Sequence, residues 1–340
     1  MSLLRAEEAH SCDTNLIRLA LSSASGISLY LKDESTHPTG SLKHRLARAL
    51  IVYAICNGWV GPRSLLIEAS SGSTAVSEAY FARLLGLPFL AVVPASTAPA
   101  KLDAIRAHGG QIRTVAEPGM VRQLASQLAA EMGGCFLDQF THAERATDWR
   151  CNNLAESLFR QMAGEPHPVP SWIVCGAGTG GTGTTIGRYI RYRGHSTRLC
   201  LADPVQSVFH RHHGDKSVTS LCGESGSIIE GIGRPCVEAS FFPQLIDRAI
   251  SVDDAQSIGA MRALSDRLGK KVGGSTGTNL WACMQLIREM AEAGRQGSIV
   301  TLLCDGGERY LDSYHDDAWL EGRAIAWTPP AAEVAALFRG

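Results

Sequence analysis

The chain has 340 residues, more than one hydrophobic core usually holds, so two domains are expected. Hydrophobic residues make up 45% and charged residues 19%, which is typical of a globular protein and excludes a disordered one. The net charge of −1 gives no reason to expect nucleic acid or an anionic membrane as a partner. No run of about 20 apolar residues predicts a transmembrane helix, and no apolar signal segment opens the chain, which favours a cytoplasmic location.

Short β-rich segments alternate along the chain with longer helical patterns. The predicted strands, in chain order, cover residues 27–32, 64–68, 88–93, 111–115, 172–175, 198–202 and 298–303. The predicted helices cover residues 42–56, 76–85, 119–132, 146–162 and 255–268. Nearly continuous apolar strands between helices predict an α/β fold with mostly parallel sheets covered on both faces.

The ten cysteines are scattered and include no CxxC pair. Several of them lie in apolar, strand-like segments, so reduced and mostly buried thiols are predicted. The one imidazole-rich stretch holds His210, His212 and His213, without a cysteine or carboxylate at a familiar metal-ligand spacing. A solvated loop is predicted there, and no metal site.

Three turns rich in glycine or hydroxyl residues lie at predicted strand-to-helix junctions. The first contains Ser70, Ser71, Gly72, Ser73 and Thr74, more hydroxyl groups than helix capping needs. Free N–H groups at a helix N-terminus, together with hydroxyls, favour binding of a carboxylate or phosphate. The turn therefore predicts an anion site.

The second turn follows the predicted strand 172–175. Gly176, Gly178 and Gly181 let the backbone approach an anionic ligand closely, and they also match the G-x-G-x-x-G pattern of dinucleotide-binding folds. Asp203 follows the next strand, roughly where a ribose-binding acid would lie. A nicotinamide-dependent oxidoreductase is thus an alternative at this point. The third turn, with Ser275, can be read simply as a capped helix start.

Lys43 lies where a loop rich in Pro, Gly and Ser enters a predicted helix. The positive end of a helix dipole disfavours an ammonium group and favours the neutral, nucleophilic amine. Taken alone, Lys43 is better explained as an exposed surface lysine, as most lysines are.

Taken in order, these segments resemble the fold type II, or β-family, of pyridoxal-phosphate (PLP) enzymes. Within that family they are most similar to the cysteine synthase and cystathionine β-synthase group. The group's P-x-x-S-x-K-x-R segment, whose lysine binds the cofactor as a Schiff base, reads Pro38-Thr-Gly-Ser-Leu-Lys43-His-Arg45 here. Its G-T-G-G-T phosphate loop is unchanged at residues 178–182, and its S-G-E-R-Y-L segment is similar to residues 306–311. The resemblance covers about residues 13–320.

The resemblance implies two domains, each with a mostly parallel twisted sheet flanked by helices, as in the tryptophan synthase β fold. A larger domain that binds the PLP phosphate would comprise residues 1–38 and 150–340. A smaller domain, residues 39–149, would carry the substrate loop and the Schiff-base lysine at the interface. A homodimer is also expected, because the family is usually dimeric.

The resemblance assigns roles to individual residues. The implied cofactor is pyridoxal 5′-phosphate, and the implied catalytic residue is Lys43. The implied cofactor-binding residues are Lys43, Ser73, Gly178, Thr179, Gly180, Gly181, Thr182 and Ser275. The implied substrate-binding residues are Ser70, Ser71, Gly72, Thr74 and Gln139.

Ser275 matches the serine that hydrogen-bonds the pyridine nitrogen. A hydroxyl does not protonate that nitrogen as an aspartic acid would, so the ring stays largely neutral and suits prompt loss of a β-leaving group. The sequence departs from the usual pattern at Ser73, where the family has asparagine, and at His44, where it has aspartate. These variants look most like the branch that contains bacterial L-cysteine desulfhydrases.

The reaction expected from this branch is β-elimination of L-cysteine to hydrogen sulfide, pyruvate and ammonia. The alternative is a cysteine synthase, which replaces the leaving group of O-acetylserine or a related activated serine by sulfide. The motifs do not separate the two, since both reactions share their early steps. A C-terminal pair of regulatory domains is not expected.

Overall fold

The computed structural model describes residues 1–11, 13–22, 26–221 and 227–338. The strands are β1 Leu16–Leu19, β2 Ile27–Asp33, β3 Leu66–Ala69, β4 Phe89–Pro94, β5 Gln111–Val115, β6 Cys135–Phe136, β7 Trp172–Cys175, β8 Arg198–Pro204, β9 Arg248–Val252 and β10 Gly297–Leu303. The helices are α1 Ser2–Ser11, α2 Lys43–Cys56, α3 Ser73–Leu85, α4 Pro99–Ala107, α5 Val121–Met132, α6 Gln139–Ala146, α7 Leu154–Met162, α8 Gly181–Arg193, α9 Val208–Gly214, α10 Asp254–Leu268, α11 Gly274–Glu292, α12 Asp317–Glu321 and α13 Thr328–Phe338.

The chain forms two compact units, each with its own sheet. The small unit comprises Met1–Asp13 and His37–Thr147. Its sheet has the order β5-β4-β3-β6, and every pair of neighbouring strands is parallel. Successive residues of β3 face opposite sides: Leu66 packs with α2 and α3, whereas Ile67 packs with α5. This alternation places helices on both faces of the sheet.

The large unit comprises Thr14–Thr36 and Asp148–Gly340. Its sheet has the order β1-β2-β10-β7-β8-β9, in which β1 pairs antiparallel with β2 and all other pairs are parallel. Helices α10 and α11 pack on one face in the main apolar core. Phe209 of α9 and Leu201 of β8 belong to a separate apolar cluster with Phe241. Both units are thus α/β layers with mostly parallel sheets, as the sequence predicts.

The N-terminal helix α1 belongs to the small unit, whereas residues 1–38 were assigned above to the larger domain. Leu4 is buried in the small unit's core, and the buried side chain of Glu7 lies 2.9 Å from the ring of His44 (Oε1 to Nε2). These two contacts of α1 lie within the small unit. The boundary after residue 147 differs from the expected one by only a few residues.

Two local predictions are wrong. The single helix predicted over residues 146–162 is interrupted, because Asn152 has a positive φ of 54° and Asn153 caps the new helix α7 by accepting from the N–H groups of Ala155 and Glu156. The histidine-rich stretch is not a loop but helix α9, which Ser207 caps by accepting from the N–H of Phe209. Its histidines are half-buried, and two of them contact backbone carbonyls of Val218 and Ile246.

The eight cysteines in the described ranges are all free thiols, and four of them are buried, which is fewer than the predicted majority. None of the helices in those ranges is both long enough and apolar enough to cross a bilayer.

Candidate active site

Lys43 is the first residue of α2, as the position of the Pro/Gly/Ser loop predicts. Gly40 in this loop has a φ of 71°, a conformation that favours glycine. The N–H groups of His44 and Arg45 bond back to the carbonyls of Ser41 and Leu42, which winds the chain into the helix immediately around Lys43. The side chain of Lys43 is half-buried rather than fully exposed.

The residue that follows Lys43 is held in a buried polar network. The ring of His44 is fully buried, and its Nδ1 lies 3.1 Å from the hydroxyl of Thr39. That hydroxyl lies 2.8 Å from the hydroxyl of Ser77 on α3, and the other ring nitrogen of His44 faces Glu7. Burial raises the pKa of Glu7, and the nearby Arg48 opposes the shift. This network ties the start of α2 to α1 and α3 within the small unit.

Residues 70–74 connect β3 to α3, as predicted. Gly72 precedes the first helical residue, Ser73, and the N–H of Gly72 donates to the Ser70 hydroxyl at 3.2 Å. Residues 70–73 are half-buried, whereas Thr74 is buried. The Thr74 hydroxyl donates to Oε1 of Gln139 at 2.7 Å, so the structure brings together two residues that are 65 positions apart. Both lie at helix N-termini, where free N–H groups favour an anion.

The glycine-rich turn runs from β7 into α8, and its glycines are needed for close packing. A Cβ on Gly178 would collide with the carbonyl oxygen of Gly231, and a Cβ on Gly180 would lie 2.6 Å from Cα of Phe241. Gly180 also has a φ of 87°, which a larger residue adopts only with strain. The N–H of Gly233 donates to the carbonyl of Ala177 at 2.8 Å, which anchors the turn to the segment that contains Gly231.

An anionic phosphate fits this turn. Residues 178–182 carry no acidic side chain, and they lead directly into the first turn of α8. The first N–H groups of a helix have no carbonyl partner within the helix, so they are available to an anion. Thr179 is buried, and its hydroxyl accepts from the N–H of Gly181 at 3.2 Å, which sets the shape of the turn.

Ser275 lies in the first turn of α11 and is only 6% exposed. The turn before it packs against residues 305–310: the N–H of Gly273 donates to the carbonyl of Asp305, and a Cβ on Gly273 would collide with the Asp305 carboxyl group. That carboxyl group accepts from the Tyr310 hydroxyl at 2.6 Å. Burial and the nearby carboxylate raise the pKa of Tyr310, which keeps this hydroxyl a donor. Two motifs that sequence reasoning treated separately thus form one structural element.

Asp203 does not suit the alternative role of a ribose-binding acid. It is fully buried, and its Oδ2 accepts from the backbone N–H of His210 at 2.9 Å and lies 3.2 Å from the ring of the same residue. A ribose-binding acid must be accessible to the dinucleotide. Asp203 instead holds the start of α9.

The small unit therefore contains Lys43, residues 70–74 and Gln139, and the large unit contains residues 178–182 and Ser275. Sequence reasoning missed the residues that support these turns, namely Gly231, Phe241 and the buried Glu68 and Glu78. The Gly231-Ile-Gly233 pair was a usable signal, because paired glycines often mark close approach of two backbone segments. The two glutamates carried no such signal, since each looks like an ordinary polar residue in sequence.

The fold and these turns define a PLP enzyme, and comparison with known proteins agrees. The family model described as "Pyridoxal-phosphate dependent enzyme" matches residues 8–305, so the chain belongs to that family and its cofactor is pyridoxal 5′-phosphate.

The chain is 54% identical over 335 residues to L-cysteine desulfhydrase Cds1 of Mycobacterium tuberculosis, which covers 97% of this chain and 91% of that protein. It is 29% identical to cysteine synthase 2 of Schizosaccharomyces pombe, over 94% of this chain and 86% of that one. A crystal structure of O-ureido-L-serine synthase is similar with a TM-score of 0.79 and 25% identity, covering 93% of this chain and 98% of that one.

Proposed function

We propose that this protein is an L-cysteine desulfhydrase, which converts L-cysteine and water into hydrogen sulfide, pyruvate and ammonia. The observation that carries the proposal is the 54% identity, over nearly the whole chain, to a protein named as an L-cysteine desulfhydrase. The cysteine synthase relative is much more distant at 29% identity, which makes cysteine synthesis the second candidate.

We assign a different part of this chemistry to each of the two units. When bound, the cofactor supplies the electron sink that makes the Cα proton of an amino acid acidic and promotes loss of its β-substituent. In our proposal the N–H groups and hydroxyls of residues 178–182 hold the phosphate, and the Ser275 hydroxyl contacts the pyridine nitrogen. The large unit thereby acts as the PLP-binding domain and the small unit as the substrate-loop domain.

Lys43 has two tasks in the proposed mechanism. Its amine would hold the cofactor covalently, and it would take the proton from Cα of the bound substrate as a general base. The position of Lys43 at the N-terminus of α2 supports both tasks, because the helix dipole favours the neutral amine.

The substrate carboxylate would bind at residues 70–74. Ser70, Ser71, Gly72 and Thr74 offer N–H groups and hydroxyls at the N-terminus of α3, and Gln139 adds its side-chain amide. Ser73 would contact the 3′-oxygen of the cofactor, with a shorter side chain than the usual asparagine. Fixing the carboxylate orients the Cα–H bond toward the base.

We also propose that the enzyme is a homodimer that works in the cytoplasm, in line with the family resemblance. Light scattering coupled to gel filtration tests the oligomeric state: a mass near twice the 36.4 kDa of one chain is expected.

The central experiment compares two reactions of the purified, PLP-loaded enzyme. With L-cysteine alone, we expect sulfide and pyruvate to appear in equal amounts, because elimination releases both from each substrate molecule. With O-acetylserine and sulfide, we expect little cysteine. Sulfide is followed colorimetrically and pyruvate by a coupled dehydrogenase assay.

D-cysteine serves as the control for uncatalysed sulfide release, since it presents its Cα proton to the opposite face. Rapid net formation of cysteine from O-acetylserine, with no pyruvate from L-cysteine, would overturn the proposal in favour of a cysteine synthase.

A further inference from the structure

Two buried glutamates lie directly behind residues 70–74 in the small unit. Glu68 is in β3, two residues before the loop, and Glu78 is in α3, which follows it. Both side chains are fully buried. Carboxyl groups are rarely buried unless they are paired or hydrogen-bonded, because removing their charge from water is costly. Neither residue has a role in the proposed mechanism so far.

Glu68 connects both ends of the proposed carboxylate site. Its Oε1 accepts from the N–H of Ala69 at 2.7 Å, and its Oε2 accepts from the N–H of Gln139 at 3.2 Å. Gln139 in turn accepts from the Thr74 hydroxyl at 2.7 Å. One carboxyl group therefore fixes the residue before the loop, the first residue of α6 and, through Gln139, the buried hydroxyl of Thr74.

We propose that Glu68 and Glu78 form a positioning pair that shares one proton: Glu78 holds the proton, and the Glu68 carboxylate orients residues 69–74 and Gln139 for the α-carboxylate of the substrate. This inference rests on the proposed function, in which residues 70–74 and Gln139 bind that carboxylate. Neither glutamate touches the substrate, so both act through other residues.

The surroundings explain why the pair keeps a proton. Burial raises the pKa of Glu68 to about 7 and that of Glu78 well above its ordinary value, and the neighbouring Glu68 further opposes ionisation of Glu78. Glu68 accepts two N–H donors that favour its charged form. Within the described ranges, neither oxygen of Glu78 accepts from an N–H group or a cation. The proton therefore resides on Glu78.

The neighbouring charged groups do not stabilise a second negative charge. Asp138 at the start of α6 and Cys135 in β6 both disfavour ionisation of the pair. Arg122 of α5 is paired with Asp138 at 2.9 Å. On the other side of α3, Glu7 of α1 and His44 of α2 contact each other, and β4 contributes apolar residues such as Ala91.

The pair therefore has a defined pH response. Both pKa values are raised in the folded state, so folding retains protons that an unfolded chain loses above the ordinary glutamate pKa of about 4.5. The stability that these protons contribute is fully present below that value and is lost as the pH rises through about 7 and above. When the last proton leaves, two carboxylates repel each other, and the positions of Ala69 and Gln139 are no longer held.

The test compares Glu78→Gln and Glu68→Gln with Glu131→Gln, the same change at an exposed position of α5 in the same unit. Each PLP-loaded protein is titrated with L-alanine, an amino acid without a leaving group, and binding is read from the visible absorbance between about pH 6 and about pH 9. The ionisation of alanine and of the cofactor is common to all variants. The ratio of each variant's alanine affinity to that of the unmodified protein therefore reports the effect of the glutamate pair.

We expect Glu131→Gln to match the unmodified protein at every pH, and both to lose affinity for alanine once the pH is high enough to remove the last proton from the pair. Glu78→Gln cannot lose its proton and should keep its neutral-pH affinity at alkaline pH. Glu68→Gln replaces one acceptor oxygen by an amide donor, so it should bind alanine about 10-fold more weakly at neutral pH while PLP remains bound.

A Glu78→Gln profile that matches the unmodified protein overturns the proposal, and so does a Glu68→Gln variant that binds alanine as tightly as the unmodified protein at neutral pH. If Glu68→Gln does not fold, the Glu78→Gln profile still decides.

Hydrogen exchange without any amino acid provides a readout that is independent of the reaction. Peptides covering residues 69–74 and 139–146 should lose protection at alkaline pH in the unmodified protein but not in Glu78→Gln. If the protein releases no sulfide from cysteine, the proposed function is wrong, but alanine binding and hydrogen exchange can still be measured. Equal protection in the two proteins at alkaline pH contradicts the proposed positioning pair but not the proposed function.

Discussion

Lys43→Ala is expected to lower the rate of sulfide release from L-cysteine by about 10³-fold and to remove the yellow colour of the purified protein. The expected effect is large because the proposed mechanism gives one amine two tasks: binding the cofactor covalently and moving the Cα proton. Lys43 begins α2 after the Gly40 turn, and the adjacent His44 is fixed by Thr39, so an alanine should leave the helix start intact. Sulfide release and the visible spectrum after gel filtration are the measurements.

Lys101→Ala is the matched control, because Lys101 is also in the first turn of a helix of the small unit, α4. This variant should keep its colour and its activity. If Lys43→Ala retains both after gel filtration, then Lys43 does not bind the cofactor, and the assignment of the active site is wrong. Circular dichroism checks that both variants remain folded.

Gly178→Ala is expected to weaken PLP binding by at least about 10-fold and to destabilise the fold by about 1–3 kcal/mol. The physical reason is steric, since a Cβ at this position would collide with the carbonyl oxygen of Gly231. Either the turn or the segment around Gly231 must move, and both define the proposed phosphate site. PLP affinity of the apo-protein and urea unfolding measure the two effects.

Gly183→Ala is the control, because it adds the same methyl group five residues further on. The added Cβ would meet only Sγ of Cys175, at an ordinary contact distance of 3.6 Å. Since Gly183 lies inside α8, alanine should match the unmodified stability or raise it by roughly 0.5–1 kcal/mol. Weak PLP binding in Gly183→Ala with normal binding in Gly178→Ala would show that the Gly231 contact is not what shapes the site.

Local sequence patterns predicted the regular elements well where they are strongly periodic. The strands β5 and β7 begin and end at the predicted residues, and α2 begins one residue later than expected. The short strands β1, β6 and β9 were missed, because segments of two to five residues with mixed polarity carry little periodic signal. The break between α6 and α7 was missed because the helical spacing of apolar residues continues across it. The chain leaves the helical conformation at Asn152, which has a positive φ, and Asn153 caps the start of α7.

The sequence by itself determined the class of enzyme and predicted the residues that would face the chemistry. Lys43, residues 70–74, residues 178–182 and Ser275 are recognisable because a covalent amine, a helix N-terminus and a glycine turn each require particular residue types at short spacing.

Only the tertiary structure decided how these segments are supported. It revealed that Glu68 bonds to Gln139, 71 positions away, and that Gly178 packs against Gly231. These relations depend on which strands are neighbours in a sheet and on how deeply a carboxyl group is buried. Burial raises the pKa of Glu68 to about 7, and no short stretch of sequence encodes that environment.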